Sequence, residues 1–427
     1  MERFLVGAAT APHQVEGNNT TSDCWVVEQL PHGGYTDPSG DACDHYNRYA
    51  EDIKLLAEAG CNAYRFGIEW ARIEPTEGRF DSNAIKHYRQ VLDCCYANGI
   101  TPIVTLHHFS SPAWLMTKGG WGKEYVVAAF ARYVRKIVKV LGNKMPIICT
   151  INEANMGGQL QQIAADMLKS NQREGDVQVG SNTSLDMKAI LLGMLEQGRV
   201  FHCSPFAVNN FLKPRKPAQE KLVMQAHRAA IKEIKALYPD TKVGLTLSLF
   251  DYQAADGGKD VAAKLWRQDF GWYLPYIKND DFLGVQNYSR KIIDATGSRE
   301  PAPGVPVTQM GYEDYPAAIG HVLRKVAKQF KGMLLVTENG IATDNDARRC
   351  EFIREAFAGV QAAKADGVPV VGYLHWSLLD NFEWQAGYAK TFGLIAVDRT
   401  TQVRHPKESL SVLGSLAKTC NKQGEKE

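Results

Sequence analysis

The stretch LLVTENG, residues 334–340, runs apolar through Leu334, Leu335 and Val336, then places a carboxylate, Glu338, in a turn marked by Asn339 and Gly340. An ionised carboxylate is costly to bury without compensation, so an acid at the tip of an apolar strand is paired, exposed or used. Alone, the segment reads as a strand running into a solvated loop. Its repetition along the chain gives it weight. Similar apolar runs occur at 3–9, 63–70, 101–108, 145–152, 242–249, 282–288 and 370–377, which makes eight candidate strands with 334–339.

Between them lie stretches with apolar residues at helical spacing, notably 46–60, 84–99 and 125–142, two of them closing on a glycine in the position expected just past a helix end. Further helices are predicted at 216–238, 313–331, 346–366 and 406–419. Continuous apolar strands alternating with helices indicate a parallel sheet covered by helices, and eight repeats indicate a closed (β/α)8 TIM barrel. A doubly wound open sheet is the alternative, but no glycine-rich phosphate turn follows the first strand. No Pro/Gly/Ser-rich linker divides the chain, so residues 1–427 are expected to form a single α/β domain. An extended insertion after the fourth strand, about 154–241, is longer than one βα unit needs, and 170–186 within it is polar and read as loop.

Composition narrows the function classes. With 49 Lys and Arg against 47 Asp and Glu, the formal charge is +2, which offers no footprint for nucleic acid or an anionic membrane. The expected partner is a small or neutral molecule. The N-terminus has no basic segment leading into a long apolar one, and no run reaches the length of a membrane span. Nine cysteines, an odd number without a CxxC pair, fit a reduced, cytoplasmic setting.

In a barrel the active site lies at the C-terminal ends of the strands, so the residues there are the ones to read. They include His13, Gln14 and Glu16 after strand 1, Arg65 and Glu69 on strand 2, His107 and His108 on strand 3, and Asn152 and Glu153 on strand 4. Later strands add Asn287 and Tyr288, Glu338 and Asn339, and Trp376 leading to Glu383 and Trp384. Two carboxylates, Glu153 and Glu338, thus face one cavity from strands 4 and 7. Glycoside hydrolysis needs such a pair: one acid protonates the leaving oxygen, and the other attacks the anomeric carbon or activates water. For either Glu alone a salt-bridged or surface role is the plainer reading, and Arg65 has a similar one as an ion-pair partner. His107 and His108 have no accompanying carboxylate or Cys cluster, so no metal is expected. Trp70 and Trp266 read as core filling.

The motifs GAATAPHQVEG (7–17), AYRFGIEWARIEP (63–75), TLHHFSSPAW (105–114), TINEAN (150–155), DFLGVQNY (281–288), VTENG (336–340) and WSLLDNFEWQAGYAKTFGL (376–394) occur in one order along the chain. Together they resemble glycoside hydrolase family 1, the retaining β-glucosidase family built on a (β/α)8 barrel. The resemblance implies Glu153 as acid/base and Glu338 as the nucleophile that forms a glycosyl-enzyme ester, with Arg65 and Tyr288 beside it. It implies Gln14, His108, Asn152, Glu383 and Trp384 as sugar-binding residues and Trp376 as an apolar floor, with no cofactor. The expected activity is exo-hydrolysis of unphosphorylated β-glycosides, β-glucoside first and β-galactoside or β-fucoside next. Relatives acting on 6-phosphorylated sugars lack this acid, and Glu383 is expected to repel a phosphate through like charge. A transglycosidase using the same intermediate and a catalytically silent sugar-binding relative are the alternatives. Three departures stand out: Ala154 replaces a common proline beside the acid/base, Phe109 replaces a common Trp, and 156–203 matches little. In that segment Met156, Met167, Met187 and Met194 either pack a helix or form a flexible apolar wall for the aglycone.

Overall fold

The computed structural model describes residues 3–170, 174–175, 183–184 and 186–424. All eight predicted strands form. They are β1 Leu5–Ala9, β2 Ala63–Gly67, β3 Thr101–Thr105, β4 Ile147–Cys149, β5 in two pieces Lys242–Gly244 and Thr246–Ser248, β6 Phe282–Gln286, β7 Met333–Asn339 and β8 Val370–Trp376. Every neighbouring pair is parallel, and the order runs from the first piece of β5 through β4, β3, β2, β1, β8, β7 and β6 to its second piece. The two ends of that order are one strand, so the sheet closes into a barrel and the open-sheet alternative falls.

Strand side chains alternate between two cores, as a two-residue period requires. Leu5, Ala63, Ile103, Ile147, Phe282 and Leu335 fill the barrel interior. Their neighbours Val6, Tyr64, Val104, Ile148, Leu283 and Val336 pack outward under the helices. The next interior layer up holds Arg65, which has nothing apolar to do there.

The helices follow the predicted pattern at His45–Ala59, Ser82–Ala97, Tyr125–Leu141, Pro217–Leu237, Asp346–Ala365 and Glu408–Gly424. Gly60 and Gly99 supply left-handed backbone (φ +110° and +68°) past the first two. The segment 313–331 is helical only over Ala318–Ala327. Pro316 disfavours helix at the residue before it, while Glu313 and Asp314 are held by Arg290 and Arg348.

Other strand ends are shorter than the apolar runs. β2 stops at Gly67, and Trp70 opens a short helix, Trp70–Ile73, whose cap is the Glu69 carboxylate accepting from Ala71 N–H. The expected insertion also resolves into parts. Pro217–Leu237 packs on Tyr125–Leu141 as an ordinary barrel helix, leaving Met156–Ser170 and Met187–Val200 as the added layer. Within 170–186, where loop is expected, the described residues pair Glu174–Gly175 with Thr183–Ser184; 171–173, 176–182 and 185 lie outside the described residues. Met156 is buried and Met187 exposed, and the Met167 side chain lies outside the described residues. No helix among the described residues is long and apolar enough to cross a membrane.

Candidate active site

Arg65 reaches the upper barrel from β2 and meets the tips of β7 and β4. Its Nη1 donates to Glu338 Oε1 (2.5 Å) and its Nη2 to Asn152 Oδ1 (2.5 Å). Tyr288 OH donates to the other Glu338 oxygen (2.7 Å). Burial raises the Glu338 pKa, and the Arg65 charge and the Tyr288 hydrogen bond oppose that rise. The Tyr288 hydroxyl itself is pushed well up by burial and by the Glu338 charge, so it keeps the proton it donates.

Glu153 sits in a contrasting environment. It is fully buried, and no cation forms an ion pair with it among the described residues. Burial first, then the charge of Glu338, push its pKa well above the ordinary carboxylate value; the Ser248 hydroxyl and Arg65 oppose this without cancelling it. The two acids therefore divide one proton unequally. Both carboxyls are raised, Glu153 the further, so Glu153 holds it more tightly than Glu338, which has a cation and a phenol on its oxygens.

Asn152 ties the pair to the residues of the cleft. Its Oδ1 also accepts from Gln286 Nε2 (2.8 Å) and Thr246 Oγ1 (3.1 Å), which fixes the amide orientation. Its Nδ2 then faces His108 Nε2 (3.1 Å), so that nitrogen accepts. Burial holds the His108 pKa well below its usual value, and the neutral ring carries its hydrogen on Nδ1, which has no protein partner. Gln14 Nε2 donates to Asn381 Oδ1, Phe382 O and Glu383 Oε2 at 3.1, 2.8 and 3.1 Å, leaving Gln14 Oε1 without a protein partner. Trp376 lies stacked against His108, with ring centroids 5.8 Å apart. One cleft is lined by Gln14, His108, Tyr288, Glu338, Trp376, Glu383 and Phe392. Trp384, stacked 6.4 Å from His108 and 5.6 Å from His13, supports the wall behind it.

Several strand-end residues lie elsewhere. Glu16 is paired with Arg72 (2.7 Å) and Tyr88, His13 bonds to Glu28 and Asn19, and His107 bonds to Ser111 among Trp121 and Phe211. Asn287 and Asn339 bond chiefly to backbone and to Tyr373, holding the strand tips. Gln286, Thr246, Asn381 and Phe392 were not singled out in the sequence. A polar residue inside an otherwise apolar run was the available signal for Gln286 and Thr246. Among the described residues no group of three or more His, Cys, Asp or Glu side chains could hold a metal ion.

Residues 1–174 and 270–422 match the model of glycosyl hydrolase family 1. The chain belongs to that family. It is 29% identical to β-glucosidase A of Thermotoga maritima, with 96% of this chain and 95% of the relative covered. It is 30% identical to a β-glucosidase of Agrobacterium sp., with 97% and 94% covered. In three dimensions it is similar to the crystal structure of the β-glycosidase BGL167, with 41% identity, a TM-score of 0.89 and coverage of 98% and 97%. A family 1 glycosyl hydrolase of this type is an O-glycoside hydrolase of the β-glucosidase class. Both acids fall inside the matched family segments, whereas β5, which carries Thr246 and Ser248, falls in the unmatched stretch between them.

Proposed function

We propose that this family 1 hydrolase is a retaining exo-β-glycosidase acting on unphosphorylated β-glycosides, β-glucosides first, in the cytoplasm. The observation that carries the reading is the unequal environment of the two acids: Arg65 and Tyr288 on Glu338, burial without a cation on Glu153. In the first step a Glu338 oxygen attacks the anomeric carbon, the bond to the aglycone oxygen breaks, and Glu153 gives that oxygen its proton. In the second, Glu153 as carboxylate takes a proton from water, the water oxygen attacks the same carbon, and the Glu338 ester bond breaks. Two inversions leave the product with the configuration of the substrate.

The glycone reading rests on the cleft. Gln14 Oε1 offers an acceptor, His108 Nδ1–H a donor and Trp376 an apolar face, which together suit a pyranose with vicinal hydroxyls. A relative of 27% identity, from Bifidobacterium breve, is named a bifunctional β-D-glucosidase/β-D-fucosidase, which supports β-glucosides and β-fucosides as the glycosides to try. The test is hydrolysis of aryl β-glucosides, β-galactosides and β-fucosides by wild type and Glu338→Ala, with the first-formed anomer followed by NMR. Release of the β-anomer by wild type alone is expected. No release from any unphosphorylated β-glycoside, or release of the α-anomer, overturns the reading.

A further inference from the structure

The parallel ladder between β4 and β5 runs regularly to Thr150, whose N–H donates to Gly244 O (2.9 Å). In an unbroken parallel ladder Thr246 N–H next donates to Thr150 O, and Thr246 O accepts from Asn152 N–H. Here Thr246 N–H donates to Ile151 O (3.1 Å) and its carbonyl accepts from Ala154 N–H (3.0 Å), so the 150–154 segment carries two residues more than the ladder accommodates. The surplus turns Glu153 into left-handed backbone, φ +40°, and takes its N–H out of the ladder at a fully buried position. A buried N–H needs a partner. The Thr246 hydroxyl accepts it (2.8 Å) and passes its own hydrogen to Asn152 Oδ1 (3.1 Å). Gly284 on β6 leaves room for the threonine methyl on the other side: a Cβ there would stand 2.6 Å from Thr246 Cγ2.

We propose that Thr246 is a positioning residue for Glu153, holding the left-handed turn that aims the acid through both its hydroxyl and its carbonyl. Ala154 takes part through an N–H that the proline expected from the family resemblance would lack. Two hydrogen bonds to one threonine thus restrain the turn where a ring would otherwise do so. The inference rests on the reading of Glu153 as acid/base.

Thr246→Val and Thr246→Ala remove the hydroxyl, and Thr246→Ser keeps it. Each is assayed beside Glu153→Gln on two β-glucosides, a 2,4-dinitrophenyl glucoside whose leaving group needs no proton and an alkyl glucoside whose leaving group does. Melting temperature reports folding, and the two hydroxyl-free variants differ in size so that one can stand in for the other. The expected result is a loss of kcat/KM on the alkyl glucoside at least about tenfold greater than on the dinitrophenyl glucoside, with a displaced alkaline limb. Thr246→Ser restores both. Equal losses on the two substrates with an unmoved alkaline limb, or no loss, overturn the proposal, because a merely structural role lowers both together. If Glu153→Gln itself shows no dependence on the leaving group, the acid/base reading fails and takes this one with it. If it does and the threonine variants do not, only the role of Thr246 falls.

Discussion

Arg65 Nη1 stands 2.5 Å from Glu338 Oε1, and both side chains are sealed from solvent. The Arg65 charge is the largest influence opposing the rise that burial imposes on Glu338. Replacing it by Met leaves an uncompensated carboxyl, and breaking a buried pair from one side costs about 3–5 kcal/mol. Arg65→Met is therefore expected to unfold at distinctly lower denaturant and to need higher pH for its residual activity, since Glu338 then holds its proton longer. Arg65→Lys keeps the charge but loses the fork that spans Glu338 and Asn152, and is expected to fall between the two. Denaturation curves and pH profiles of kcat/KM check both.

Tyr288→Phe removes the donor to Glu338 Oε2 and leaves Arg65 in place. A hydrogen bond to the charged form lowers a carboxyl pKa, so its loss moves the acid limb of kcat/KM to higher pH. Activity on the plateau is expected to drop by roughly 10- to 100-fold, as one donor to a charged group contributes about 1.5–3 kcal/mol. An acid limb that stays in place, or moves down, contradicts the arrangement.

The barrel was legible in the sequence because each apolar run, buried on both faces, alternates with an amphipathic helix. The aim of its acids was not. Strict alternation from interior Leu335 sends Val336 out, Thr337 in and Glu338 out toward the helices. Glu338 faces inward because the pairing of β6 with β7 slips by one, from Val285↔Val336 to Gln286↔Glu338. Strict alternation from interior Ile147 does send Glu153 inward, but two surplus residues before Ala154 turn its backbone left-handed and set its aim there. Apolar periodicity carries no mark of either irregularity; position at the ends of strands 4 and 7 singled out the two acids, and the family resemblance divided the roles between them. Glu69 shows the converse: a strand-end acid by position, it is a helix cap by geometry, because the strand stops two residues earlier.

Gln14 ties β1 to the loop after β8 through three hydrogen bonds from one amide nitrogen, to Asn381, Phe382 and Glu383. Gln14→Ala frees that loop and removes the Oε1 acceptor from the cleft. The expected outcome is a fall in kcat/KM of about tenfold or more. Deoxygenated β-glucosides identify the hydroxyl concerned: the deoxy substrate that wild type handles poorly should lose little further in Gln14→Ala, because the same contact is already gone. Additive losses for every deoxy substrate place Gln14 outside sugar recognition.

Glu69 is buried, accepts from Ser110 Oγ (2.6 Å) and Ala71 N–H (3.1 Å), and its pKa is pushed up by burial from 4.5 to about 7. The folded state therefore binds more protons than the unfolded one between those values, and this group's contribution to stability falls as pH rises through them. The full span is on the order of 3 kcal/mol. His107 and His375, held neutral by burial with pKa values near 3, act in the opposite sense over part of the same range, so the raw pH dependence mixes the two. The difference between wild type and Glu69→Gln isolates the carboxyl. Glu69→Gln is expected to gain stability relative to wild type as pH rises from about 4.5 to 7 and to hold that gain above it. A difference that is flat across this window in urea denaturation shows that Glu69 is ionised in the fold well below neutrality, matched by its two donors.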